Sequence, residues 1–328
     1  MTAPEHRFTR EQLEAAILGA APQLTSDDVA RASGFTADDT RRFWRALGFA
    51  DAGTQAAFTA ADVKALSVIG AIVEEGAIDE EMVLRMTRAV GHTVARLADW
   101  EVATLVSRVD QLESGDQATG SRIGSALRLI EEIGPSFEEL LIYSWRRHLA
   151  AAVARAEALG ANDDALRTAE VTVGFADLVG FSAYSNEHTQ GEIGETVEVF
   201  ETRCSDAVAH RRGRVIKTLG DSVLFVCEEP AQAYDVSADI VRQIGGDDAL
   251  PDVRVGLATG PVVLRLGDVF GPAVNLAARM TAVARRNRVV VDKRTAELLP
   301  GEEFLTRVLP ARPVRGFGDV EPVAVRRR

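Results

Sequence analysis

The chain has 328 residues, is 46% apolar, and carries 37 basic against 49 acidic side chains, a net charge of −12. That balance excludes an extended nucleic-acid or anionic-membrane surface, which needs Lys and Arg in excess, and the apolar content excludes a disordered chain. With Cys204 and Cys227 alone, a disulfide framework and a four-cysteine metal site are excluded as well.

The opening residues, MTAPEHRFTREQ, lack the apolar segment of a secretory signal. The longest uncharged apolar run, Ala65 to Val73, is about half of what a bilayer span requires. The expectation is a cytoplasmic protein in a reducing compartment with no transmembrane segment.

The first 140 residues read as helical, rich in Ala, Leu, Arg, Asp and Glu. Capping signals punctuate them: Thr25-Ser26-Asp27-Asp28 before Val29, Thr36 before Asp38-Asp39, and Thr59 before Asp62. A loop is predicted within Ser107 to Ser125, around Ser114-Gly115-Asp116 and Gly120. Gly134-Pro135-Ser136 is predicted to stop one helix and start another. Thr25 to Leu47, with Gly34-Phe35 between two helical segments, has the outline of a helix-turn-helix. Its second helix sets Asp38 and Asp39 beside Arg41, Arg42 and Arg45. In so acidic a domain a packed regulatory bundle is favoured over DNA binding, and no nucleic-acid partner is expected.

A long helix is predicted from Ser136 to Leu159. Its apolar positions Ile142, Trp145, Leu149, Ala152, Ala156 and Leu159 follow the a/d spacing of a coiled-coil seam. The alanines weaken that seam because they bury little area. His148 falls at heptad position g, next to Arg146-Arg147, and has two readings: a solvated helix-face histidine, or a proton sensor at a dimer seam. Gly160-Ala-Asn-Asp-Asp164 should break the helix.

From Glu170 onward strands and helices alternate. Strands are predicted at Val171–Ala176, Arg214–Thr218, Val223–Cys227, Val253–Ala258, Val262–Leu266 and Arg288–Val291. Helices are predicted at 193–209, 231–244 and 273–284, and Gly260-Pro261 splits the fourth strand from the fifth. The order βαββαβ, with additions, predicts a ferredoxin-like α+β sandwich preceded by an all-α domain.

Two aspartates punctuate the apolar strands: Asp177 in Val-Gly-Phe-Ala-Asp-Leu-Val-Gly-Phe181, and Asp221 in Lys217-Thr-Leu-Gly-Asp-Ser. A carboxylate at a strand end beside a glycine is exposed yet rigidly held, which suits a hard divalent cation; alone, each also reads as a turn aspartate capping its own backbone. Further on, Asp268-Val-Phe-Gly271-Pro-Ala-Val-Asn275-Leu-Ala-Ala-Arg279 places Asn275 and Arg279 at i and i+4, on one helical face.

These three elements, in order and spacing, resemble the catalytic domain of the class III adenylate cyclases over about Glu170 to Arg328. The resemblance implies that Asp177 and Asp221 bind two Mg²⁺ or Mn²⁺ ions per active site. It implies that Lys217 and Asp268 select adenine, that Asn275 orients the ribose, and that Arg279 stabilises the transition state. Arg315, in Pro313-Val-Arg-Gly316, is the match for a triphosphate-binding basic residue. It also implies a homodimer with shared active sites and ATP as substrate. A fainter likeness extends to actinobacterial-type cyclases whose helical N-terminal domain is autoinhibitory and pH-responsive. The resulting division is residues 1–135 as an all-helical regulatory domain, 136–168 as a linker and dimer-seam helix, and 169–328 as the catalytic domain.

The residue types suit that chemistry. An in-line attack of the ATP 3′-hydroxyl on the α-phosphate expels pyrophosphate and follows two-metal logic. Charge on the pentavalent phosphorus can be met by the forked donor of Arg279. Lys217 can donate to adenine N1 while Asp268 accepts from the 6-amino group, and guanine presents the reverse pattern. The segment between Gly256 and Asp268 is short, as in bacterial members with an abbreviated dimerisation arm. Gly245-Gly-Asp-Asp248 resembles a diguanylate cyclase signature, but Ala249-Leu-Pro251 follows where a strand should begin, and no P-loop motif occurs. The alternatives are a catalytically silent nucleotide-binding regulator on the same fold, or a guanylate cyclase; retention of all six matching residues favours the active adenylate cyclase.

Overall fold

Threonines start most of the N-terminal helices. Thr9, Thr25, Thr36 and Thr59 each accept a backbone N–H from the first turn of α1 (Arg10–Leu18), α2 (Ser26–Ser33), α3 (Ala37–Leu47) and α4 (Ala60–Glu74). In three of these caps the side chain of Gln12, Asp28 or Asp62 returns a bond to the threonine amide, satisfying donors that the helix itself leaves free. Asp79 caps α5 (Glu80–Glu113) in the same way, and α6 (Arg122–Ala158) follows. The computed structural model describes residues 8–76, 78–115, 118–158, 168–265 and 267–328. The chain divides into two compact units, residues 1–151 and 152–328.

The core of the first unit is Val29, Phe43, Trp44, Phe58 and Leu66, with Leu24 bridged to Phe58. The α2–α3 turn is therefore a packed helix-turn-helix. The predicted loop falls where Ser114-Gly115 and Gly120 put it, between α5, which runs to Glu113 and buries Val109, and α6 from Arg122. One local expectation is corrected: α6 continues through Gly134-Pro135-Ser136. Pro135 removes one helical hydrogen bond, to the carbonyl of Glu131, but both residues are exposed, so water can meet the freed carbonyl. Leu159 of the predicted seam and the break at 160–164 lie outside the described residues. Among those described, no helix is long and apolar enough to cross a membrane.

The second unit begins with β1 (Thr168–Leu178), α7 (Phe181–Glu187) and α8 (Gln190–His210). A hairpin of β2 (Arg214–Thr218) and β3 (Ser222–Cys227), then α9 (Pro230–Ile244) and β4 (Val253–Arg265), complete a βαββαβ unit. The strand order β2-β3-β1-β4, antiparallel throughout, is the ferredoxin-like arrangement. Strand periodicity sorts the side chains. Ala176, Leu178, Phe225, Val255 and Leu257 face Phe200 and Cys204 of α8 and Ile240 and Ile244 of α9. Val173, Leu224, Val226 and Ala258 face the other way, onto Ala273 and Ala277 of α10 (Pro272–Val283).

The sheet continues beyond β4. β5 (Asp268–Phe270) pairs with the end of β4, and β6 (Arg288–Val291) pairs parallel to its start. After α11 (Lys293–Leu298), β7 (Phe304–Val308) and β10 (Val323–Arg327) add the far edge, and β8 (Arg312–Val314) with β9 (Gly318–Val320) forms a separate hairpin. The two strands predicted on either side of Gly260-Pro261 are one. Between its β6 and β5 pairings, β4 has only β1 as a neighbour, so the proline has no second ladder to interrupt.

Candidate active site

Asp177 stands at the end of β1, opposite Ser222 in the β1–β3 register. Asp221 occupies the β2–β3 turn, where Gly220 takes a left-handed φ of 70° that a side-chain-bearing residue adopts at a cost. The two are tied through the backbone: Leu178 N–H donates to the Asp221 carbonyl at 2.9 Å. Both oxygens of the Asp177 carboxylate are held. Ser222 Oγ donates to Oδ1 at 2.5 Å, and Arg254 donates to Oδ2 through Nε at 2.7 Å, with Nη2 at 2.6 Å. Burial, and next the negative charge of Asp177, raise the Asp221 carboxyl above its ordinary value.

The two carboxylates form a hard, anionic oxygen pair. Among the described residues no group of three or more His, Cys, Asp and Glu side chains forms a closed metal cage. The pair suits Mg²⁺ or Mn²⁺, which take one or two carboxylates and leave other positions to water and substrate phosphates.

Lys217 on β2 and Asp268 at the start of β5 meet: Nζ donates to Oδ2 at 2.5 Å, with both side chains about one-quarter to one-third exposed. Asp268 Oδ1 accepts the Val269 N–H at 2.8 Å, which fixes the carboxylate plane. The pair is rigid and reachable.

Asn275 and Arg279 lie one turn apart on the exposed side of α10, whose Ala277 and Met280 are buried. The helix seats closely on the sheet at Gly256, where an added Cβ would stand 2.1 Å from the Thr281 amide nitrogen. Neither side chain makes a hydrogen bond or ion pair with another described residue. Arg315 is exposed in the β8–β9 turn, and Phe317 and Val320 of that hairpin pack against the cluster containing Met280. The chain thus joins Asp177 to Asp221 and Lys217 to Asp268, while Asn275, Arg279 and Arg315 stand on exposed surface without partners among the described residues.

Sequence reasoning missed Ser222 and Arg254. Arg254 carried a signal, being the one charged side chain in the apolar run Val253–Ala258. Which carboxylate it meets depends on the β1–β4 register, where Arg254 lies opposite Asp177.

The family described as Adenylate and Guanylate cyclase catalytic domain matches residues 164–325. An adenylate cyclase of Streptomyces coelicolor is 38% identical over 97% of this chain and 89% of its own length. An adenylate cyclase of Streptomyces griseus is 36% identical over 97% of this chain and 88% of its own. A pH-sensitive adenylate cyclase of Mycobacterium tuberculosis is 32% identical over 66% of this chain and 54% of its own. The chain belongs to the class III nucleotide cyclases. Its likeness to the two Streptomyces enzymes takes in the helical N-terminal region as well as the cyclase domain.

Proposed function

We propose that this protein is an adenylate cyclase that forms cyclic AMP and pyrophosphate from ATP at the interface of a homodimer. The observation that carries the reading is the meeting of Asp177 at the end of β1 with Asp221 in the β2–β3 turn, together with the Lys217–Asp268 pair that joins β2 to β5. Two Mg²⁺ or Mn²⁺ ions, when bound by Asp177 and Asp221, would neutralise the triphosphate and favour ionisation of the 3′-hydroxyl.

The chain's own groups divide the remaining work. Ser222 and Arg254 hold the Asp177 oxygens in a fixed orientation, so the carboxylate meets its cation without reorganising. Lys217 donates to adenine N1 and Asp268 accepts from the 6-amino group, an edge pattern that guanine inverts. Asn275 orients the ribose, and Arg279 meets charge on the α-phosphorus with a planar fork of donors. Arg315 binds the outer phosphates.

The exposure of Asn275 and Arg279 on α10 supports a site completed by a second copy, since a group that contacts substrate must be reachable. Ile142, Trp145 and Leu149 on α6 are also exposed, in keeping with a helical seam between chains. Residues 1–135 act as the regulatory part and 136–168 as the connection to the cyclase domain at 169–328. The name of the pH-sensitive relative supports a pH-responsive role for that part, which we take to be autoinhibitory.

The test is formation of cyclic AMP from ATP, compared with cyclic GMP from GTP, by full-length protein with Mg²⁺ and with Mn²⁺. Turnover of ATP alone upholds the reading. GTP turnover at an equal rate overturns the base assignment, and no turnover with either metal overturns the enzyme.

A further inference from the structure

The turn that follows Asp177 is held from both sides by backbone bonds. Leu178 N–H donates to the Asp221 carbonyl, and Val179 N–H donates to the Asp252 carbonyl at 2.7 Å. Gly180 then takes a left-handed φ of 74° and opens α7. The first bond comes from within the carboxylate pair. The second comes from the residue just before β4, the strand whose Arg254 holds Asp177 Oδ2. The placement of Asp177 therefore depends twice on residues 252–254.

Those residues are fixed by Asn287, just before β6. Its N–H donates to the Val253 carbonyl at 2.6 Å, its Oδ1 accepts the Val253 N–H at 3.2 Å, and its Nδ2 donates to Asp252 Oδ1 at 2.5 Å. Arg286 adds a longer contact, 3.3 Å, from an exposed guanidinium to Asp252 Oδ2, which contributes little in water. Asn287 makes these bonds at a φ of 54°, and among the described residues only Arg212 also combines a side chain with a positive φ. Asn tolerates that conformation better than most residues, yet it persists only where the surroundings demand it. Here they are shaped for it. Gly245, first of the Gly-Gly-Asp-Asp run that follows α9, lies against the Asn287 amide, and an added Cβ would collide with its Oδ1 and Cγ. Asp247 of the same run pairs instead with Arg203 at 2.6 Å.

We infer that Asn287 is a positioning residue for the cation-binding carboxylate of Asp177. It latches Asp252 and Val253, and through the Val179 amide and Arg254 that latch sets where the carboxylate stands. The inference rests on the reading of Asp177 and Asp221 as the metal pair.

Asn287→Gly is the discriminating variant, since glycine accepts a positive φ without strain and the change removes only the side-chain amide. Hydrogen exchange is measured first, on metal-free full-length protein, in the segment Asp177–Phe181. Exchange there should quicken about tenfold, the scale of one lost hydrogen bond, while the β7–β10 ladder keeps the parent's rates. ATP turnover is then followed against Mg²⁺ concentration. The half-saturating Mg²⁺ concentration should rise severalfold and kcat should fall about tenfold, because a misplaced carboxylate costs both. Asp252→Ala should reproduce these effects. Asp252→Asn keeps an acceptor for Asn287 Nδ2 and should return them most of the way to the parent. Unchanged exchange in Asn287→Gly overturns the latch. Faster exchange with kcat and Mg²⁺ dependence both unmoved overturns the positioning role and leaves Asn287 a residue of the fold alone. Absence of turnover in the parent overturns the proposed activity rather than the latch, which the exchange rates still decide.

Discussion

Lys217 Nζ and Asp268 Oδ2 lie 2.5 Å apart, so the two groups assigned to adenine are each other's partners in the free chain. In the proposed recognition of adenine, one ion pair is exchanged for two bonds to the purine edge. Because each side chain holds the other in place, changing either disturbs both. Lys217→Glu with Asp268→Cys should lower kcat/KM for ATP by about 10²-fold or more, since a site built on paired donors and acceptors rejects a mismatched edge strongly. The measurement is kcat/KM for ATP and for GTP. Full ATP activity in the double variant would show that these side chains do not read the base.

The carboxylate pair makes a second set of expectations. Asp221→Ala removes a charge that nothing nearby can replace, and turnover should fall at least about 10³-fold, several kcal/mol of lost stabilisation. Arg254→Gln keeps Asp177 but releases its Oδ2, and misplacement of that carboxylate should cost about 10²-fold in kcat. Asp221→Ala turning over with an unchanged metal dependence would remove the two carboxylates from the reaction. Unchanged kcat in Arg254→Gln would leave Arg254 with a purely structural part.

The contrast between these residues shows what could be read in the sequence. Asp177, Asp221, Lys217 and Asp268 sit in short motifs whose order is local, and the ferredoxin-like order followed from the alternation of period-2 and period-3.6 segments. Arg254 was hidden because its partner lies 77 positions away, fixed by register across two strands. The same limit explains the two breakers that failed to break. Pro135 and Pro261 signal interruption wherever they occur, but whether one interrupts depends on what the freed backbone group would have met. For Pro135 that is solvent on an exposed helix, and for Pro261 it is a stretch of β4 with no second neighbour.

Glu113, at the end of α5, accepts from Ser125 Oγ and from the Thr119 amide and hydroxyl, and these bonds hold its carboxyl at about 2 against an ordinary 4.5. Because the folded value lies below the ordinary one, the stabilisation is present at neutral pH and is lost as the pH falls through the range from about 4.5 toward 2. Glu113→Gln should therefore lower the melting temperature of the protein at pH 7. The gap between variant and parent should narrow steadily as the melts are repeated from about pH 6 down to the lowest pH at which both stay folded. A gap that stays constant would mean that the carboxylate charge contributes nothing.

Regulation by the helical part predicts that removing residues before about 165 changes the rate of ATP turnover severalfold, and that full-length activity rises on acidification. His148 is exposed on α6, within the segment proposed to connect the two parts. His148→Ala should flatten the pH profile if the imidazole is the sensor. An unchanged profile would clear His148 while leaving the truncation experiment to decide regulation. Equal activity of full-length and truncated protein at every pH would dispose of the regulatory role.

A shared site makes the most discriminating prediction. Lys217 lies on β2 and Asp221 four residues on, in the β2–β3 turn, so the adenine group and the carboxylate belong to different parts of one hairpin. In the proposed dimer, the aspartates of one protomer work with Lys217, Asp268, Asn275 and Arg279 of its partner, and two-fold symmetry makes two such sites from one surface. Lys217→Ala and Asp221→Ala homodimers should both be inactive, each lacking one component in both sites. A mixed dimer recovers one complete site, with Asp177 and Asp221 from the first variant and Lys217 from the second, and leaves the other site doubly defective. Co-expression with distinct affinity tags and tandem purification isolates that species. Its turnover should approach half of the wild-type value per dimer if the two sites act independently. An inactive mixed dimer, once its two-tag composition is verified, would mean that each site is built within one chain, and the exposure of Asn275 and Arg279 would then need another explanation.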